Sequence, residues 1–346
     1  MSDAETTFQL EHCLMSEADL LPLLEGRRER SQGRVMDAKA QVVAEFTKSI
    51  RVPGYFPPLP ELRQQLLTLV QLLDEPAPAL ARIEDLTIPG PDGAIPARLY
   101  ADSPASDGGA LPVLTYYHGG GFVQGDLETH HGLCARLAQQ SGAMVVAIDY
   151  RLAPENKFPA GAEDCWAAYA WLRAHAAELG GDPARVAVAG DSAGGNLSAV
   201  VCQRATREGV AAPDFQVLIY PAVDLHTDTG SHQEFADGAV IPRDRIDWYM
   251  AQYTNGPADL DDPVASPLFT EDLTGQPPAL IVSGGFDPLR DDAVNYAERL
   301  RLAGCHVTLH EYPGQIHAFI SLTKAIPEGM QATLEVADYM RRQFAL

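Results

Sequence analysis

The stretch VAVAGDSAGGNLSAV, residues 186–200, places one serine between a run of apolar residues and a run of glycine and alanine. Val-Ala-Val-Ala is typical of a buried strand, and the residues after Ser192 are compatible with a helix. Residues 190–194 match G-x-S-x-G, in which a sharp strand-to-helix turn exposes a serine hydroxyl. A glycine-rich phosphate cradle is the alternative, but the stretch lacks the G-x-G-x-x-G spacing of dinucleotide sites. The stretch therefore predicts a nucleophilic serine at the end of a buried strand.

Short apolar runs separated by helix-length segments surround this stretch. A hairpin is predicted within residues 83–100, where a Gly-Pro-Asp-Gly turn joins two strand-like runs. Near-continuous apolar strands that alternate with helices are typical of a parallel sheet covered on both faces. We therefore expect an α/β fold with an eight-stranded, mostly parallel sheet flanked by helices. The six strands predicted after the hairpin lie at residues 112–118, 143–150, 185–190, 215–221, 279–285 and 306–312.

Two spans interrupt this alternation. One is the N-terminal region, which carries two amphipathic helical patterns. The other follows the sixth strand and is too long for a plain crossover, with a helix predicted near residues 243–253. Insertions in open α/β sheets tend to lie over the carboxyl ends of the strands, where ligands bind. We predict a helical cap made of residues 1–75 and 224–262, and a core made of residues 76–223 and 263–346.

Composition narrows the classes of partner and compartment. The 346-residue chain has 47 acidic and 25 basic side chains, a formal net charge of −22 that disfavours nucleic acids and anionic membranes. The five cysteines form no C-x-x-C pair, which favours free thiols in a reducing compartment over a disulfide framework or a zinc site. The first residues do not resemble a signal peptide, and no run reaches the roughly 18 apolar residues of a membrane span. We expect a cytoplasmic protein without a metal.

A serine hydroxyl needs a base and an orienting acid before it can act as a nucleophile. His317 follows the last predicted strand after a Pro313-Gly314 turn, so it can reach back over the serine. Asp287 directly follows the seventh strand, although an aspartate before proline is also a good helix N-cap. Asp291 and Asp292 lie one turn into the following helix and are expected to point elsewhere. The chain order serine, aspartate, histidine is the order of an α/β-hydrolase.

A glycine-rich loop supplies candidate donors for a developing oxyanion. HGGGF, residues 118–122, follows the third predicted strand. Its glycines allow backbone N–H groups to approach a substrate without a side-chain clash, and Ala193, next to the serine, offers a second source of N–H. Together with the predicted strand-to-helix turn, the loop indicates acyl transfer.

These motifs together resemble the bacterial hormone-sensitive-lipase-like esterases. The resemblance covers about residues 80–346 and rests on HGGGF, YRLAPE (150–155), GDSAGG (190–195), DPLRDD (287–292) and IHAF (316–319). It implies an α/β-hydrolase with a helical cap that hydrolyses short- to medium-chain carboxylic esters without a cofactor. It also implies that Gly120, Gly121 and Ala193 stabilise the oxyanion, and that His118 braces the glycine loop.

Other functions remain open at the level of sequence. An amidase or formamidase would use the same three residues, and a non-catalytic ligand-binding protein of this fold would be expected to lack the base. Phe122 and Leu225 are weaker candidates for substrate contact, since either could be ordinary core. The pair His130–His131 is not expected to bind a metal, because neighbouring side chains point apart. The last strand, a potential sheet edge, could pair across a homodimer.

Overall fold

The computed structural model describes residues 7–103, 109–238 and 240–346. A sheet of eight strands forms the centre, in the order β10-β9-β8-β7-β5-β6-β4-β3. A two-stranded ribbon, β1–β2, forms a second sheet that contacts β10 through the Arg34–Glu311 ion pair. The strands are β1 Arg30–Ser31, β2 Arg34–Val35, β3 Arg82–Gly90, β4 Gly93–Ala101, β5 Leu111–Tyr117, β6 Met144–Ile148, β7 Gly181–Asp191, β8 Gln216–Ile219, β9 Ala279–Phe286 and β10 Val307–Ile316. The α-helices are α1 Leu10–Cys13, α2 Glu17–Leu20, α3 Ala38–Ser49, α4 Leu59–Leu73, α5 His131–Ser141, α6 Ala160–His175, α7 Ala193–Glu208, α8 Gly230–Glu234, α9 Arg243–Tyr253, α10 Arg290–Leu302 and α11 Glu328–Phe344.

The sheet is parallel except at one edge. Strands β3 and β4 form an antiparallel hairpin, and β4 pairs antiparallel with β6. All remaining neighbours pair in parallel. The predicted eight-stranded, mostly parallel α/β fold is therefore confirmed.

The alternation of side chains along β7 explains why its sequence reads as continuously apolar. Val186 and Val188 face the layer of α6 and α7, whereas Ala187 and Ala189 face the layer that contains α5 and α11. Because both faces of the strand are covered by helices, both sets of side chains are fully buried.

The order of the strands reverses beside β7. The chain runs from β5 to β6 on one side and then returns to place β7 on the other side of β5. Such a reversal opens a crevice at the carboxyl ends of the two central strands. The loop after β5 contains the glycine motif, and the turn after β7 contains Ser192.

The last strand differs in one respect from the prediction. We predicted that it ends before a Pro313-Gly314 turn, but β10 continues to Ile316 with a register irregularity after Tyr312. The strand bulges at this point, and pairing with β9 resumes at Ile316 opposite Phe286. Strand β10 lies at the edge of the sheet, so pairing across a homodimer stays a prediction.

The two spans outside the alternation lie together above the sheet. Phe56 stacks on Trp248 with ring centroids 4.9 Å apart, and the Arg51 guanidinium donates to the carbonyl oxygen of Gly238 at 3.1 Å. Residues 38–73 and 224–262 thus contact each other directly. Their assignment as one cap with the predicted boundaries stays a prediction, and residues 1–6 lie outside the described part of the chain.

No helix within the described residues is both long and apolar enough to cross a membrane. The cysteine side chains are free thiols, four of them buried and Cys305 half-buried.

A buried ion pair joins the end of α4 to the core. Asp74 accepts two hydrogen bonds from one Arg136 guanidinium nitrogen, at 2.9 and 2.7 Å. The hydroxyl and backbone N–H of Thr323 also donate to Asp74, at 2.6 and 3.1 Å. Both charged side chains are at least 90% buried, so each depends on the other for solvation.

We expect Asp74→Ala to lower the free energy of unfolding by about 3–5 kcal/mol, because it leaves a buried guanidinium without its carboxylate. Urea denaturation would measure the change. The exposed neighbour offers the control: Glu75→Ala should change the free energy by no more than about 0.5 kcal/mol. A loss below about 1 kcal/mol in Asp74→Ala would contradict the role of the pair.

Candidate active site

Ser192 lies on a sharp turn between β7 and α7. Its backbone has φ 55° and ψ −116°, in the left-handed half of the map that side chains rarely occupy. The turn also brings α7 very close to β5, because a Cβ on Gly194 would collide with the carbonyl oxygen of Tyr117. The small residues around the serine are therefore required by the turn that presents its hydroxyl.

His317 and Asp287 complete a hydrogen-bonded chain with the serine. The Oγ of Ser192 lies 3.1 Å from Nε2 of His317, and Nδ1 of His317 lies 2.8 Å from Oδ2 of Asp287. Asp287 is fully buried, and its other carboxylate oxygen accepts the backbone N–H of Leu289 at 2.8 Å. The aspartate thus holds the turn before α10, whose N-cap is Leu289, and contacts the histidine at the same time. The geometry brings together all three residues proposed from the sequence.

The two carboxylates considered as alternatives to Asp287 accept hydrogen bonds from other groups. Asp291 accepts the backbone N–H of Ser231 at 2.8 Å, and Asp292 accepts that of Asp224 at 3.1 Å.

The predicted oxyanion donors Gly120, Gly121 and Ala193 line the same pocket as Ser192. Ala193 begins α7, so its backbone N–H lies at the free amino end of the helix. Gly120 has φ 122°, and a Cβ there would collide with the carbonyl oxygen of Gln124. Within the described residues, no hydrogen-bond acceptor is assigned to the backbone N–H of Gly120, Gly121 or Ala193. These donors are available to a ligand.

Asp191 ties the glycine loop to the serine turn, a role that the sequence did not reveal. One carboxylate oxygen of Asp191 accepts from the Tyr116 hydroxyl at 2.8 Å and from the Gly119 backbone N–H at 3.0 Å. The same oxygen lies 3.1 Å from Nε2 of His130. The carboxylate is 5% exposed, so the loop after β5 is held to the residue before Ser192 by a buried charge.

The electrostatics of the His130–Asp191 pair favour the charged forms of both side chains. Burial lowers the pKa of His130, but the charge and hydrogen bond of Asp191 outweigh burial and raise it overall. Burial raises the pKa of Asp191, and the same interaction with His130 lowers it overall. Each of the two side chains therefore favours the charged form of the other, directly before the nucleophile.

His118 instead remains neutral. Burial, followed by repulsion from His130, lowers the pKa of His118 to about 4. Its Nδ1 lies 2.8 Å from the carbonyl oxygen of Gly119, and its ring stacks on Tyr150 with centroids 4.4 Å apart. The ring therefore supports the glycine loop from within the core.

The side chains of His130 and His131 point apart. The first contacts Asp191, and Nδ1 of His131 lies 3.1 Å from the Tyr100 hydroxyl. Among residues 7–103, 109–238 and 240–346, no cluster of three or more histidine, cysteine or acidic side chains could hold a metal ion.

A pocket of about 770 Å³ opens above the serine. Its floor contains Ser192, His317 and the glycine loop, and its walls come from both spans above the sheet. Phe122 borders the pocket and stacks on Tyr253 with centroids 3.9 Å apart. Leu225 is not part of this lining; it is 2% exposed in the core, where its backbone N–H donates to Ser266 at 3.1 Å. The apolar wall residues include Phe46, Ile50, Leu62, Leu66, Leu69, Ile246 and Met250.

Asp191 and His130 are the functional candidates that sequence reasoning missed. An acidic residue at the end of a buried strand was the available signal, since a buried carboxylate must find partners. The partners lie 61 to 75 residues away along the chain, at the end of β5 and just before α5, so the sequence could not identify them.

The chain is similar in sequence to a known protein family and to named hydrolases. A family described as "alpha/beta hydrolase fold" matches residues 114–321. The chain is 46% identical over 266 residues to "Carboxylic ester hydrolase LipN" of Mycobacterium tuberculosis, covering 75% of this chain and 70% of the relative. It is 39% identical over 265 residues to "Ethyl acetate hydrolase" of Pseudomonas putida, covering 75% of this chain and 82% of the relative.

Among solved structures, the chain is similar to an ester hydrolase from the metagenome of Lake Arreo. That likeness has a TM-score of 0.84 and 39% sequence identity, and it covers 89% of this chain and 99% of the other.

The stability contributed by His130 should depend on pH. Its pKa is raised on folding, so the stabilisation is present below the usual histidine pKa of about 6.5 and is lost as pH rises through the folded value. We expect the difference in free energy of unfolding between wild type and His130→Gln to be larger at about pH 6 than at about pH 9. Urea denaturation at both pH values measures it.

The neighbouring histidine gives the control with the opposite sign. Burial, followed by the charge of Arg98, lowers the pKa of His131. Protonation therefore opposes folding at this position. The difference in free energy of unfolding between wild type and His131→Gln should be smaller at about pH 6 than at about pH 9. A parallel trend in the two variants would refute the interpretation of the His130–Asp191 pair.

Proposed function

The chain belongs to the α/β-hydrolase family and is a carboxylic ester hydrolase, and we propose that it hydrolyses short- to medium-chain esters through an acyl-enzyme on Ser192. The observation that carries the proposal is the chain of hydrogen bonds from Ser192 through His317 to Asp287, at 3.1 and 2.8 Å. Its substrate is a small-molecule ester, and the three side chains require no cofactor to act.

Acylation follows from the positions of these groups. Nε2 of His317 accepts the hydroxyl proton as the serine oxygen attacks the ester carbonyl carbon. Asp287 accepts a hydrogen bond from Nδ1–H, which fixes the tautomer and stabilises the imidazolium. The N–H groups of the glycine loop and Ala193 donate to the oxyanion, a contribution of roughly 3–4 kcal/mol per donor. The imidazolium then gives its proton to the departing alcohol oxygen.

Deacylation repeats the sequence with water as the nucleophile. His317 removes a proton from the water as its oxygen attacks the acyl carbon, and the tetrahedral intermediate collapses to release the carboxylic acid. The proton returns to Oγ of Ser192, so the enzyme regains its starting state.

The large pocket supports a preference for apolar acyl chains of limited length. Helix α4 forms one wall with its leucine side chains, and Tyr249 and Met250 of α9 form another. A chain that extends past these walls would leave its methylene groups in water and gain no further burial. The name of the Pseudomonas putida relative, an ethyl acetate hydrolase, points in the same direction.

Replacing the nucleophile should abolish the activity. We expect Ser192→Ala to lower kcat/KM for p-nitrophenyl butyrate by about 10⁴-fold or more, since the acyl-enzyme cannot form. Ser141→Ala, on the distant helix α5, should retain wild-type activity. Full activity in Ser192→Ala would refute the mechanism, and a wild type that cleaves acyl anilides but no ester would favour the amidase alternative.

Narrowing the pocket should shorten the preferred acyl chain. We expect Leu66→Trp to move the optimum in a p-nitrophenyl series from acetate to palmitate towards shorter esters, because Leu66 lines the wall of the pocket. Gln71→Trp lies on the same helix but is exposed outside this lining, and it should leave the optimum unchanged. An optimum at palmitate in wild type would contradict the proposed range.

A further inference from the structure

Two arginines interrupt the mostly apolar wall of the large pocket. Arg51 and Arg245 belong to the same lining as Ser192, His317 and the glycine loop. Arg51 follows α3, and Arg245 lies in the first turn of α9, so the two come from the two different spans above the sheet. Positive charge is therefore present in the space that a substrate must enter to reach the serine.

Arg245 has no acidic partner in the parts of the chain that the structure describes. It forms no ion pair there, whereas Arg243 on the same helix pairs with Asp247 at 2.7 Å. The guanidinium of Arg245 lies over the ring of Phe56, with Cζ 5.5 Å from the ring centroid. A contact of this kind covers one face of the guanidinium and leaves the N–H donors at its edge. Arg245 is therefore able to pair with an anionic group of a ligand.

Tyr249 connects Arg245 to the glycine loop. The two residues are four apart on α9, so they lie on the same side of the helix. A Cβ on Gly121 would collide with the Tyr249 ring, and the phenol oxygen accepts Nε2 of Gln124 at 2.9 Å. Burial raises the pKa of Tyr249, and the charge and hydrogen bond of Arg245 offset only part of this rise. The phenol thus keeps its proton at neutral pH and offers a second donor beside the guanidinium.

The two arginines lie close enough to affect each other. Burial lowers the pKa of Arg51, and the positive charge of Arg245 lowers it further. The carboxylates of Asp244 and Asp237 act in the opposite direction but do not outweigh burial. An anion bound at this position would reduce the repulsion between the two guanidinium groups.

The carboxylates of the lining have other partners. Glu61 is exposed and accepts the side-chain N–H of Gln65 at 3.1 Å. Asp191 is buried, and its oxygen lies 3.1 Å from Nε2 of His130. Neither carboxylate forms an ion pair with an arginine of the pocket within the described residues.

This part of the pocket is close to solvent. Val52 follows Arg51 and Tyr55 precedes Phe56, and these two lining residues are 62% and 56% exposed. A charged group bound beside the arginines would therefore keep part of its hydration, which lowers the cost of moving it out of water.

We propose that the large pocket binds esters that carry a carboxylate several carbon atoms away from the ester bond, and that Arg245 and Tyr249 donate to this carboxylate. This inference rests on the proposed function, because the same pocket delivers the ester to Ser192. Methylene groups between the two ends would pack on the leucine side chains of α4. The guanidinium and the phenol would form charge-assisted hydrogen bonds with the carboxylate. The net charge of the chain has little influence at this point, since charges more than about 8 Å away are largely screened at physiological ionic strength.

Two pairs of esters test the proposal and show whether the carboxylate belongs to the acyl or the alcohol part. The first pair is monoethyl adipate and its terminal amide, and the second is the butyrate ester of 6-hydroxyhexanoic acid and its terminal amide. Within each pair, a carboxylate is replaced by a neutral amide of similar size. We expect kcat/KM of wild type at about pH 7.5 to be at least about tenfold higher for the carboxylate in one of the pairs, the effect of a hydrogen bond to a charged group.

Variants on α9 should remove this preference selectively. Arg245→Gln should bring the ratio of the two kcat/KM values to about one, because the neutral side chain cannot neutralise the carboxylate. Arg245→Lys should retain part of the ratio, since it keeps the charge but not the planar fork of donors. Tyr249→Phe should lower the ratio without abolishing it. Arg243→Gln, on the same helix but outside the lining, should keep the wild-type ratio.

The outcomes separate this inference from the proposed function. A ratio near one in both pairs, with all four esters hydrolysed by wild type, would overturn the carboxylate site and leave the esterase mechanism standing. A wild-type ratio that persists in Arg245→Gln, including an equal fall for both members of a pair, would also overturn it. If wild type hydrolyses none of the four esters and no p-nitrophenyl butyrate, the proposed function fails, and this inference fails with it.

Discussion

The close packing of α7 against β5 is the constraint on which the rest of the site depends. At Gly194 there is no space for a side chain, because the carbonyl oxygen of Tyr117 occupies it. This contact places the helix directly after the strand and forces Ser192 into a left-handed backbone conformation. The amino end of α7 then lies beside the glycine loop, so backbone packing fixes the nucleophile, and the buried Asp191 carboxylate holds the glycine loop next to it.

The turn also places the buried carboxylate of Asp191 directly before the nucleophile, where it pairs with His130. A carboxylate directly before the nucleophile would oppose the negative charge that develops on the carbonyl oxygen. The imidazole of His130 lies 3.1 Å from this carboxylate, whose charge raises the pKa of His130, while the carboxylate keeps the glycine loop in place through the Gly119 N–H. The pair therefore allows a rigid, buried anchor beside a site that must stabilise an anion.

Features of the structure that depend on neighbouring residues could be predicted from the sequence, and features that depend on distant residues could not. The strand pattern and the strand-to-helix turn depend on neighbouring residues, so the fold could be predicted from periodicity and small side chains. His317 and Asp287 could be placed because the carboxyl ends of parallel strands meet at one edge. Leu225 was less accessible to this reasoning, since an apolar residue after a strand packs equally well in the core or against a ligand. The continuation of β10 through Pro313 and Gly314 arises from a bulge that pairs again further on, which the local sequence does not report.

The support for the segment before His317 could not be predicted from the sequence either, because it comes from a residue far away along the chain. Asp37 donates its backbone N–H to the carbonyl oxygen of Gly314 at 2.9 Å and accepts the Gln315 side chain at 2.7 Å. Helix α3 begins at the next residue, so its amino end is fixed two residues from the base. The same helix contributes Phe46 to the wall of the large pocket. Because of this shared support, the wall of the pocket and the position of the base depend on the same hydrogen bonds, so a change in the chain at Asp37 would alter both together.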